Sequence, residues 1–425
     1  MPTMNKMRNF IKVLSVSAEC GRLRVEYRLS SGIEKYFAAV RVFEVEYTED
    51  VSCVPESVLV IPFVCNVLPI AWLADAVLEI PQLDREFYEC IPDMLEGYKH
   101  MSPMLEFKGG VQVEQLIDNS YECTEKTAAF FSGGVDAFAT LVAHAAEKPQ
   151  LITLWGSDVK LTDVEGWGKV KTHIEETSHL FELPEPILVK STFRTILNES
   201  ELNTIVLASG EGWWYGYQHG IGIIGHAAPF AYLKRWKTVY FASTNTAKDE
   251  LICASDPTID NKLHLVSSRV WHDQYEYTRQ QKVQHIVESC RKGAPQVRLR
   301  VCWQSEGGSN CCLCEKCARS LFAVLAEGAS PETFGFSGWQ NYAVYYSQMV
   351  RMQLYRIEHL RAFWQDIQNR FQETQSGRHD KRINWIYTLD VNHPLTLKMQ
   401  LKQFVKQHCL LVYRGLRYVK DMMKK

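Results

Sequence analysis

The sequence predicts an α/β protein with a doubly wound, five-stranded parallel sheet at its centre. From residue 122 onward, short apolar runs that fit strands alternate with longer segments of helical periodicity. This alternation favours a parallel sheet with helices on both faces. A Cys-x8-Cys-x2-Cys-x2-Cys pattern later in the same unit predicts a metal site. Because the flanks lack the alternation, we predict an N-terminal α+β domain at 1–118, the central unit at 119–328 and a helical extension at 329–425.

The composition is that of a large folded chain in a reducing compartment. Its 425 residues are 46% hydrophobic and 23% charged, which suits a sizeable core and two or three domains. The net charge of −2 argues against nucleic acid as the main partner. The sequence has no apolar leader and no run of about eighteen apolar residues, so we expect no signal peptide and no membrane span. Thirteen cysteines, several of them clustered, favour a cytoplasmic protein.

Residues 1–118 predict a separate domain of α+β type. Residues 23–29 and 36–42 alternate in the manner of strands and are joined by a polar turn. An apolar run at 58–67 and a helical pattern at 83–100 follow. The region carries no recognisable catalytic motif, so homodimer formation, substrate capture and docking of a partner protein all stay open as its role.

The central unit alternates strands and helices in a regular order. The predicted strands are 127–131, 151–155, 186–190 and 238–242. The predicted helices are 136–147, 165–183 and 216–235. Ligands of such sheets bind at the carboxyl ends of the strands. The segments 132–137, 156–158 and 242–244 each follow a predicted strand. We therefore expect all three on one rim, where the active site is predicted.

One turn on this rim has the composition of an anion-binding loop. The strand at 127–131 ends at Ser132-Gly133-Gly134, and a helical pattern begins at Asp136. Such a turn directs backbone N–H groups and the positive end of a helix dipole at one point, which suits a phosphate. The glycines permit close approach of the anion, and Ser132 adds a hydroxyl. The turn lacks the lysine of a Walker A loop, and an ordinary βα turn with a capping aspartate is the alternative.

The cysteine pattern predicts a structural zinc site. Its four candidate ligands are Cys302, Cys311, Cys314 and Cys317. Cys-x2-Cys turns place two thiolates on one ion, and four thiolates leave no open coordination position. Lys316 and Arg319 are close enough in sequence to offset the thiolate charge. Cys312 is an additional neighbour of this pattern, and the alternatives are a redox thiol cluster or scattered buried cysteines.

The two motifs together resemble those of a known enzyme family. The segment 132–137 is similar to Ser-Gly-Gly-x-Asp-Ser, the pyrophosphate loop of N-type ATP pyrophosphatases, which split ATP between its α and β phosphates. With the four cysteines, residues 122–325 resemble the 7-cyano-7-deazaguanine synthase family of the queuosine pathway. The loop alone is shared with argininosuccinate synthetases, tRNA thiolases and asparagine synthetases. Ala137 replaces the final serine, which removes one hydroxyl worth about 0.5–1.5 kcal/mol.

The resemblance implies an adenine nucleotide alpha-hydrolase-like fold with ATP and Mg²⁺ as ligands and Zn²⁺ at the four cysteines. The residues expected at ATP are Phe131, Ser132, Gly133, Gly134, Val135, Asp136, Ala137 and Asp158. The residues expected to be catalytic are Ser132, Asp136 and Lys282. Asp158 meets the ribose or the adenine edge in this interpretation, and an ordinary loop aspartate is the alternative.

The reaction implied is ATP-dependent ligation. A carboxylate similar to 7-carboxy-7-deazaguanine, small or carried on a protein, attacks the α phosphorus and gives an adenylate plus pyrophosphate. Ammonia or an amine then displaces AMP to form an amide, and a nitrile would require the further loss of the amide oxygen from the product formed with ammonia. Positioning and charge stabilisation would supply most of the acceleration.

Other residues on or near the rim are weaker candidates. Asp256 and Asp260 suit Mg²⁺, although a solvated Asx turn is the simpler interpretation. Arg279 and Lys282 share a helix face and suit the departing pyrophosphate, although surface cations are commoner. The segment 211–220, rich in aromatic residues and glycine, suits a slot for a planar heterocycle or a loop packed on the sheet.

Two histidines and the C-terminal extension favour structural roles. His219 and His226 are interpreted as packing histidines, because seven residues is poor spacing for one metal ion. Residues 339–372 predict a buried helical stripe. Residues 396–423 predict a basic amphipathic helix that docks on the body, with membrane or nucleic-acid contact as the alternative.

Three other functions stay open at this point. Sulfur transfer to tRNA or a small molecule uses the same loop and needs a reactive thiol, for which Cys253 is the candidate. A nucleotide-binding partner subunit without catalysis is compatible with Ala137. A zinc-held interaction module that binds only an anion is the third. Release of pyrophosphate separates the enzymes from the last two.

Overall fold

The computed structural model describes residues 8–248, 251–302, 308–354, 357 and 359–392. Their backbone forms one sheet with helices on both faces. The strands, in chain order, are β1 (Asn9–Glu19), β2 (Arg22–Leu29), β3 (Val42–Tyr47), β4 (Ala76–Asp84), β5 (Gly110–Ile117), β6 (Thr127–Phe130), β7 (Gln150–Trp155), β8 (Ile187–Ser191), β9 (Thr238–Ala242), β10 (His264–Leu265) and β11 (Ser268–Asp273). The α-helices are α1 (Glu56–Leu59), α2 (Ile61–Leu73), α3 (Arg85–Met101), α4 (Val135–Ala143), α5 (Val164–Leu180), α6 (Glu199–Ile205), α7 (His219–Ile224), α8 (Ala228–Lys234), α9 (Pro257–Asp260), α10 (Arg279–Arg291), α11 (Glu315–Ala326), α12 (Ala343–Leu354) and α13 (Leu360–Thr374).

The described part of the chain contains an 11-stranded sheet in the order β10-β11-β9-β6-β7-β8-β3-β2-β1-β4-β5. Strands β8, β7, β6, β9 and β11 run parallel to one another and form the predicted doubly wound unit. The prediction of a five-stranded sheet is wrong, because β3 pairs antiparallel with β8, where Val45 lies opposite Ser191. This pairing adds the N-terminal strands to the sheet and satisfies backbone groups that an open edge would expose.

One predicted strand of the N-terminal region is also wrong. Residues 36–42 contain the end of the 3-10 turn Glu34–Tyr36, and β3 starts at the last of them. Tyr36 and Phe37 are adjacent and both buried. Two consecutive buried residues break the period of two that a half-buried strand requires, so this segment cannot continue the ladder.

Alternate residues of the central strands face two separate cores. In β6, Ala128 and Phe130 belong to a core that also contains α2 and α3 of the N-terminal region. Ala129 and Phe131 belong to a second core, formed with α4, α10, α11 and α13. Both faces of the parallel unit are therefore covered, as is usual for parallel sheets. Because the sheet and the first core both continue past residue 118, the division into three regions stays a prediction.

Two helical predictions are confirmed outside the central unit. Residues 83–100 coincide with α3, and residues 339–372 contain α12 and most of α13. The buried stripe is confirmed in part, because Met349, Leu354 and Leu360 are buried, whereas Tyr345 and Met352 are exposed. The predicted basic helix at 396–423 lies outside the described residues. Every helix that the structure describes is too short or too polar to cross a bilayer.

A histidine at the end of α4 is held between two carboxylates. His144 Nδ1 lies 2.8 Å from Glu147 Oε1, and His144 Nε2 lies 3.1 Å from Asp273 Oδ1. Burial alone would lower the pKa of His144, but the hydrogen bonds and charges of Asp273 and Glu147 raise it above its ordinary value. The C-terminal end of a helix also favours a cation.

We predict that His144→Gln lowers stability most at acidic pH. The raised pKa means that the charged ring stabilises the fold fully below the unfolded pKa of about 6.5, and that this contribution is lost as the pH rises through the folded value. Urea unfolding is expected to show a deficit of about 1 kcal/mol at about pH 6 that shrinks towards about pH 9. His179→Gln, at an exposed position near the end of α5, is the control. A deficit that grows with pH would contradict the assignment.

Candidate functional site

A cavity of about 1090 Å³ opens at the carboxyl ends of β6, β7 and β9. This is slightly more than the range of about 300–1,000 Å³ that is common for small-molecule sites. The prediction of one rim is confirmed, since the segments 132–137, 156–158 and 242–244 all contribute to the cavity wall. The predicted nucleotide-site residues that line it are Phe131, Ser132, Gly134, Asp136, Ala137 and Asp158.

The loop after β6 has the conformation expected of a glycine turn. Gly133 has φ +76°, a left-handed conformation that residues with side chains rarely adopt. A Cβ atom at this position would lie 2.7 Å from Nε2 of His173, so there is no space for one. Gly134 is the N-cap of α4, and Ser132 is exposed to the cavity. The N-terminus of α4 therefore borders the cavity, where its unpaired N–H groups suit an anion.

Asp136 is the centre of a charge network at the start of α4. Its Oδ2 accepts a hydrogen bond of 2.6 Å from Arg279 Nη1, and its Oδ1 lies 3.7 Å from Lys282 Nζ. Burial alone would raise the pKa of Asp136, but the charges of Arg279, Lys282 and Lys316 outweigh burial and lower it. The aspartate is therefore an anion whose charge is already balanced by α10, and Asp136 and Arg279 both line the cavity.

Lys282 lies in a different place from the one that its predicted catalytic role requires. Its side chain is fully buried, and its Nζ donates a hydrogen bond of 2.6 Å to the carbonyl oxygen of Ser243. Burial lowers the pKa of Lys282. Lys282 is not among the residues of the cavity wall, and its contacts connect Asp136 to the loop after β9. Val135 is likewise a core residue with no exposed surface.

Arg300 is a cavity residue that the sequence did not reveal. Its Nε and Nη2 atoms donate hydrogen bonds of 3.0 and 2.8 Å to the carbonyl oxygen of Ser132. Its backbone N–H donates a third bond of 2.7 Å to the carbonyl oxygen of Gly133. Arg300 also lines the cavity. Its position two residues before Cys302 was the available signal, because a metal centre fixes the residues beside its ligands.

Lys316 and Arg319 bring further positive charge from α11 to the cavity. In the described part of the chain, the Lys316 side chain has no hydrogen-bond or ion-pair partner. Burial and the charge of Arg279 lower the pKa of Lys316, and burial lowers the pKa of Arg319 to about 10. Arg319 lies 4.2 Å from the ring centre of Phe363 and 3.5 Å from Glu315. Cations crowded in this way favour an anion, which would relieve their mutual repulsion.

The cavity as a whole carries more cations than anions. Its described basic residues are Lys248, Arg279, Arg300, Lys316 and Arg319, and its described acidic residues are Asp136, Asp158 and Glu211. Because Asp136 and Arg279 neutralise each other, four basic residues of the cavity wall remain against two acidic ones. The cavity therefore suits a ligand with several negative charges.

The four predicted cysteine ligands form one cluster at the wall of this cavity. The sulfurs of Cys302, Cys311, Cys314 and Cys317 all lie within 4.8 Å of one another. The Cys302 sulfur lies 3.4 Å from that of Cys311 and 3.8 Å from that of Cys314, and 3.9 Å separates the sulfurs of Cys311 and Cys317. Four thiolates about 2.3 Å from one zinc ion would be about 3.8 Å apart. The cluster therefore fits a tetrahedral metal ion such as Zn²⁺.

The backbone around the cluster is arranged for thiolates. The N–H groups of Leu313 and Cys314 donate hydrogen bonds of 3.4 and 3.3 Å to the sulfur of Cys311. The N–H of Cys317 donates one of 3.4 Å to Cys314, which is also the N-cap of α11. Cys312 is outside the four-sulfur group, and its carbonyl oxygen accepts a hydrogen bond from Tyr346. The metal would therefore fix the start of α11, the helix that carries Lys316.

The segment 211–220 partly packs on the sheet and partly lines the cavity, so features of both interpretations of its sequence are present. It contains the π-helical turn Trp214–Gln218, and Trp213 and Tyr217 are fully buried, so part of it packs on the sheet. Three residues spaced by four, Glu211, Tyr215 and His219, line the cavity. π-Helical turns are often found at functional sites because they shift the side chains that follow.

The two histidines differ in environment. His226 is fully buried, with Nε2 2.8 Å from Ser191 Oγ, and burial lowers its pKa to about 4, which supports a packing role. His219 borders the cavity, its Nδ1 atom has no hydrogen-bond partner among the described residues, and burial lowers its pKa. His219 is therefore a neutral imidazole beside the ligand space.

Three weaker candidates lie away from the cavity wall. Asp256 is the half-buried N-cap of α9, where its carboxylate accepts hydrogen bonds from Thr258. Asp260 is fully buried and its Oδ2 lies 2.8 Å from His272 Nδ1. These placements favour structural roles over Mg²⁺ binding. Cys253 is buried, and burial raises its pKa to about 11, which opposes formation of a reactive thiolate.

Comparison of the chain with protein-family models, with curated proteins and with solved structures found no match in any of the three. The fold and the site therefore rest on the residues and geometry described above.

Proposed function

We propose that this protein is an ATP-dependent ligase of the pyrophosphate-loop type, related to the 7-cyano-7-deazaguanine synthases. The observation that carries the proposal is the position of the Ser132-Gly133-Gly134 loop. It lies at the carboxyl end of a parallel strand, at the mouth of a large cavity with surplus positive charge, and next to a four-cysteine cluster. Loop, cavity charge and cysteine cluster together suit a polyphosphate ligand beside a structural metal.

The β and γ phosphates of ATP are assigned to the glycine loop and the cations around it. The N–H groups at the start of α4 and the Ser132 hydroxyl would donate hydrogen bonds to phosphate oxygens. Lys316 supplies a cation that has no partner among the described residues, and Arg319 lies on the same helix. Charge that develops on the departing pyrophosphate would be stabilised by these groups, which are already in place before the reaction.

The acceptor is assigned to the part of the cavity formed by the segment 211–220 and α13. Tyr215, His219, His359 and Phe363 line this part. A carboxylate oxygen of the acceptor attacks the α phosphorus, and the α–β phosphoanhydride bond breaks to release pyrophosphate. An amine or ammonia then attacks the acyl carbon, and AMP leaves with the electron pair of the broken C–O bond. The volume of the cavity suits a nucleotide together with a second substrate.

Mg²⁺ would bind at the cavity and not at the segment 256–260. Asp136, Asp158 and Glu211 are the carboxylates in the cavity wall, and Asp158 is exposed there. Oxygen ligands of this kind, together with phosphate oxygens, suit Mg²⁺, which keeps several of its waters. Zn²⁺ at the four cysteines would be structural, since it has no open position for a substrate.

A nucleotide-binding subunit without catalysis is the second candidate. Ala137 is buried at the cavity wall, so the hydroxyl that the pyrophosphate-loop pattern expects is missing where it would face the ligand. This candidate predicts ATP binding without AMP formation. Sulfur transfer is less well supported, because Cys253 is not part of the cavity wall.

The proposal is tested by AMP formation from ATP and Mg²⁺ with a panel of carboxylates that includes 7-carboxy-7-deazaguanine, in the presence of ammonium. We predict that wild-type protein forms AMP and that Lys316→Met lowers the rate on the order of 100-fold, because a positioned cation is lost from the charge that develops on pyrophosphate. Lys292→Met is the matched control, since the Lys292 side chain is exposed, lies 3.8 Å from Glu288 and is not part of the cavity wall.

The variants also separate the candidates. Equal loss of AMP formation in Lys316→Met and Lys292→Met would contradict the assigned site. ATP binding by wild-type protein without AMP formation across the panel would favour the subunit without catalysis.

A further inference from the structure

We propose that Arg300 is a positioning residue that couples the four-cysteine metal centre to the glycine loop, so that the metal and the nucleotide strengthen each other's binding. The inference rests on the proposed function for the identity of the nucleotide. It adds that the metal centre acts on the ligand site as well as on the fold.

The first connection runs from the loop to the cysteines through three hydrogen bonds. Both the side chain and the backbone of Arg300 bind the loop, through the carbonyl oxygens of Ser132 and Gly133. Two residues later, Cys302 is a member of the sulfur cluster. A bidentate guanidinium fixes direction as well as distance, so a shift of Cys302 would move the loop backbone.

The side chain of Asn310 fixes the segment 299–302 through hydrogen bonds to its backbone. Its Oδ1 accepts hydrogen bonds from the N–H groups of Val301, at 2.9 Å, and Cys302, at 3.3 Å. Its Nδ2 donates hydrogen bonds of 2.8 and 2.9 Å to the carbonyl oxygens of Leu299 and Gly335. Residues 299–302 are therefore held as one unit between the metal ligands and the loop.

A second connection runs through α11. Cys314 caps this helix, Cys317 lies in its first turn, and Lys316 stands between the two ligands. Arg319 follows on the next turn, and both cations reach the cavity. The metal would thus hold the cations of α11 and Arg300 around one ligand space, from two directions.

The consequence follows from linkage. If the metal organises the anion site, an anion that binds there must favour the metal-bound state by the same factor, and such couplings are typically about 5- to 150-fold. A bound nucleotide would therefore raise the affinity of the four cysteines for the metal. If the four cysteines only stabilise the fold, a bound nucleotide would not act on them through Arg300.

The test measures the zinc affinity of the protein by equilibrium competition with a chelator, with and without the magnesium complex of α,β-methylene-ATP, which cannot be split between the α and β phosphates. We expect the nucleotide to raise the zinc affinity about 10-fold in wild-type protein. In Arg300→Met we expect one bound zinc but less than about 2-fold increase in zinc affinity. Arg298→Met, an exposed arginine two residues away, should behave as wild type. All three proteins are measured under the same solution conditions, so chelation of zinc by the nucleotide itself affects the three measurements equally.

Each outcome decides one of the two claims. An equal increase in zinc affinity in wild type and Arg300→Met would overturn the coupling and leave the proposed function intact. Wild-type protein that binds the analogue with the same affinity with and without zinc, measured by calorimetry, would also overturn it and needs no variant. Failure of zinc-loaded wild-type protein to bind the analogue would contradict the proposed function itself.

Discussion

Replacement of Arg279 by methionine is expected to destabilise the protein by about 3 kcal/mol and to abolish AMP formation. The Asp136 carboxylate is mostly buried and would lose its hydrogen bond of 2.6 Å to Arg279, leaving Lys282 at 3.7 Å as its nearest cation. Removal of one partner of a buried ion pair is costly because the remaining charge stays desolvated. Urea unfolding measures the stability, and release of AMP measures the activity.

Two variants check the cause of this effect. Arg22→Met removes an exposed pair with Glu46, in which the charges are 3.9 Å apart, and should show no measurable change. Asp136→Asn combined with Arg279→Met should cost less than the sum of the single changes, since the unpaired charge is then absent. Additive costs would show that the two residues do not act as a pair.

Replacement of Gly133 by alanine is expected to weaken nucleotide binding at least about 10-fold and to lower stability by about 2 kcal/mol. An alanine at φ +76° is strained, and its Cβ would lie 2.7 Å from His173 Nε2 and 3.3 Å from Arg300 Cβ. The loop would have to move away from Arg300, which holds its carbonyl groups. Calorimetry with the magnesium complex of α,β-methylene-ATP measures the binding.

Gly168→Ala is the matched control for the loop variant. Gly168 lies inside α5, and a Cβ there would meet no atom within 4 Å. Alanine is the better helix former by about 0.5–1 kcal/mol, so this variant should bind nucleotide normally and be at least as stable as wild type. Normal nucleotide binding by Gly133→Ala would contradict a role of the loop in phosphate recognition.

The parallel unit and both motifs could be predicted because they depend on local patterns. Strands β6 to β9 follow apolar runs bounded by turns, and the doubly wound order follows from the alternation with helices. The spacing of the four cysteines in the sequence predicts a common metal site, and their sulfurs do form one cluster. The glycine loop was visible because a positive φ and a close approach both demand glycine.

The remaining features depend on contacts between distant parts of the chain. Nothing in the sequence of β3 identifies β8 as its partner, so the sheet was predicted with too few strands. Arg300 is 168 positions from Ser132, and no local pattern connects them. Lys282 has the residue type of a phosphate ligand, but its burial against Ser243 is set by the packing of α10. The pairing of β3 with β8, the contact of Arg300 with the loop and the position of Lys282 all depend on burial and on contacts between residues far apart in the sequence.

The central claim is that ATP is split between its α and β phosphates in the cavity above the Ser132-Gly133-Gly134 loop. Phosphorus NMR of ATP and Mg²⁺ incubated with the protein, the carboxylate panel and ammonium identifies the bond that breaks. We predict signals of AMP and pyrophosphate in equal amounts, and their loss in Ser132→Ala combined with Lys316→Met. ADP and inorganic phosphate as the products would contradict the account.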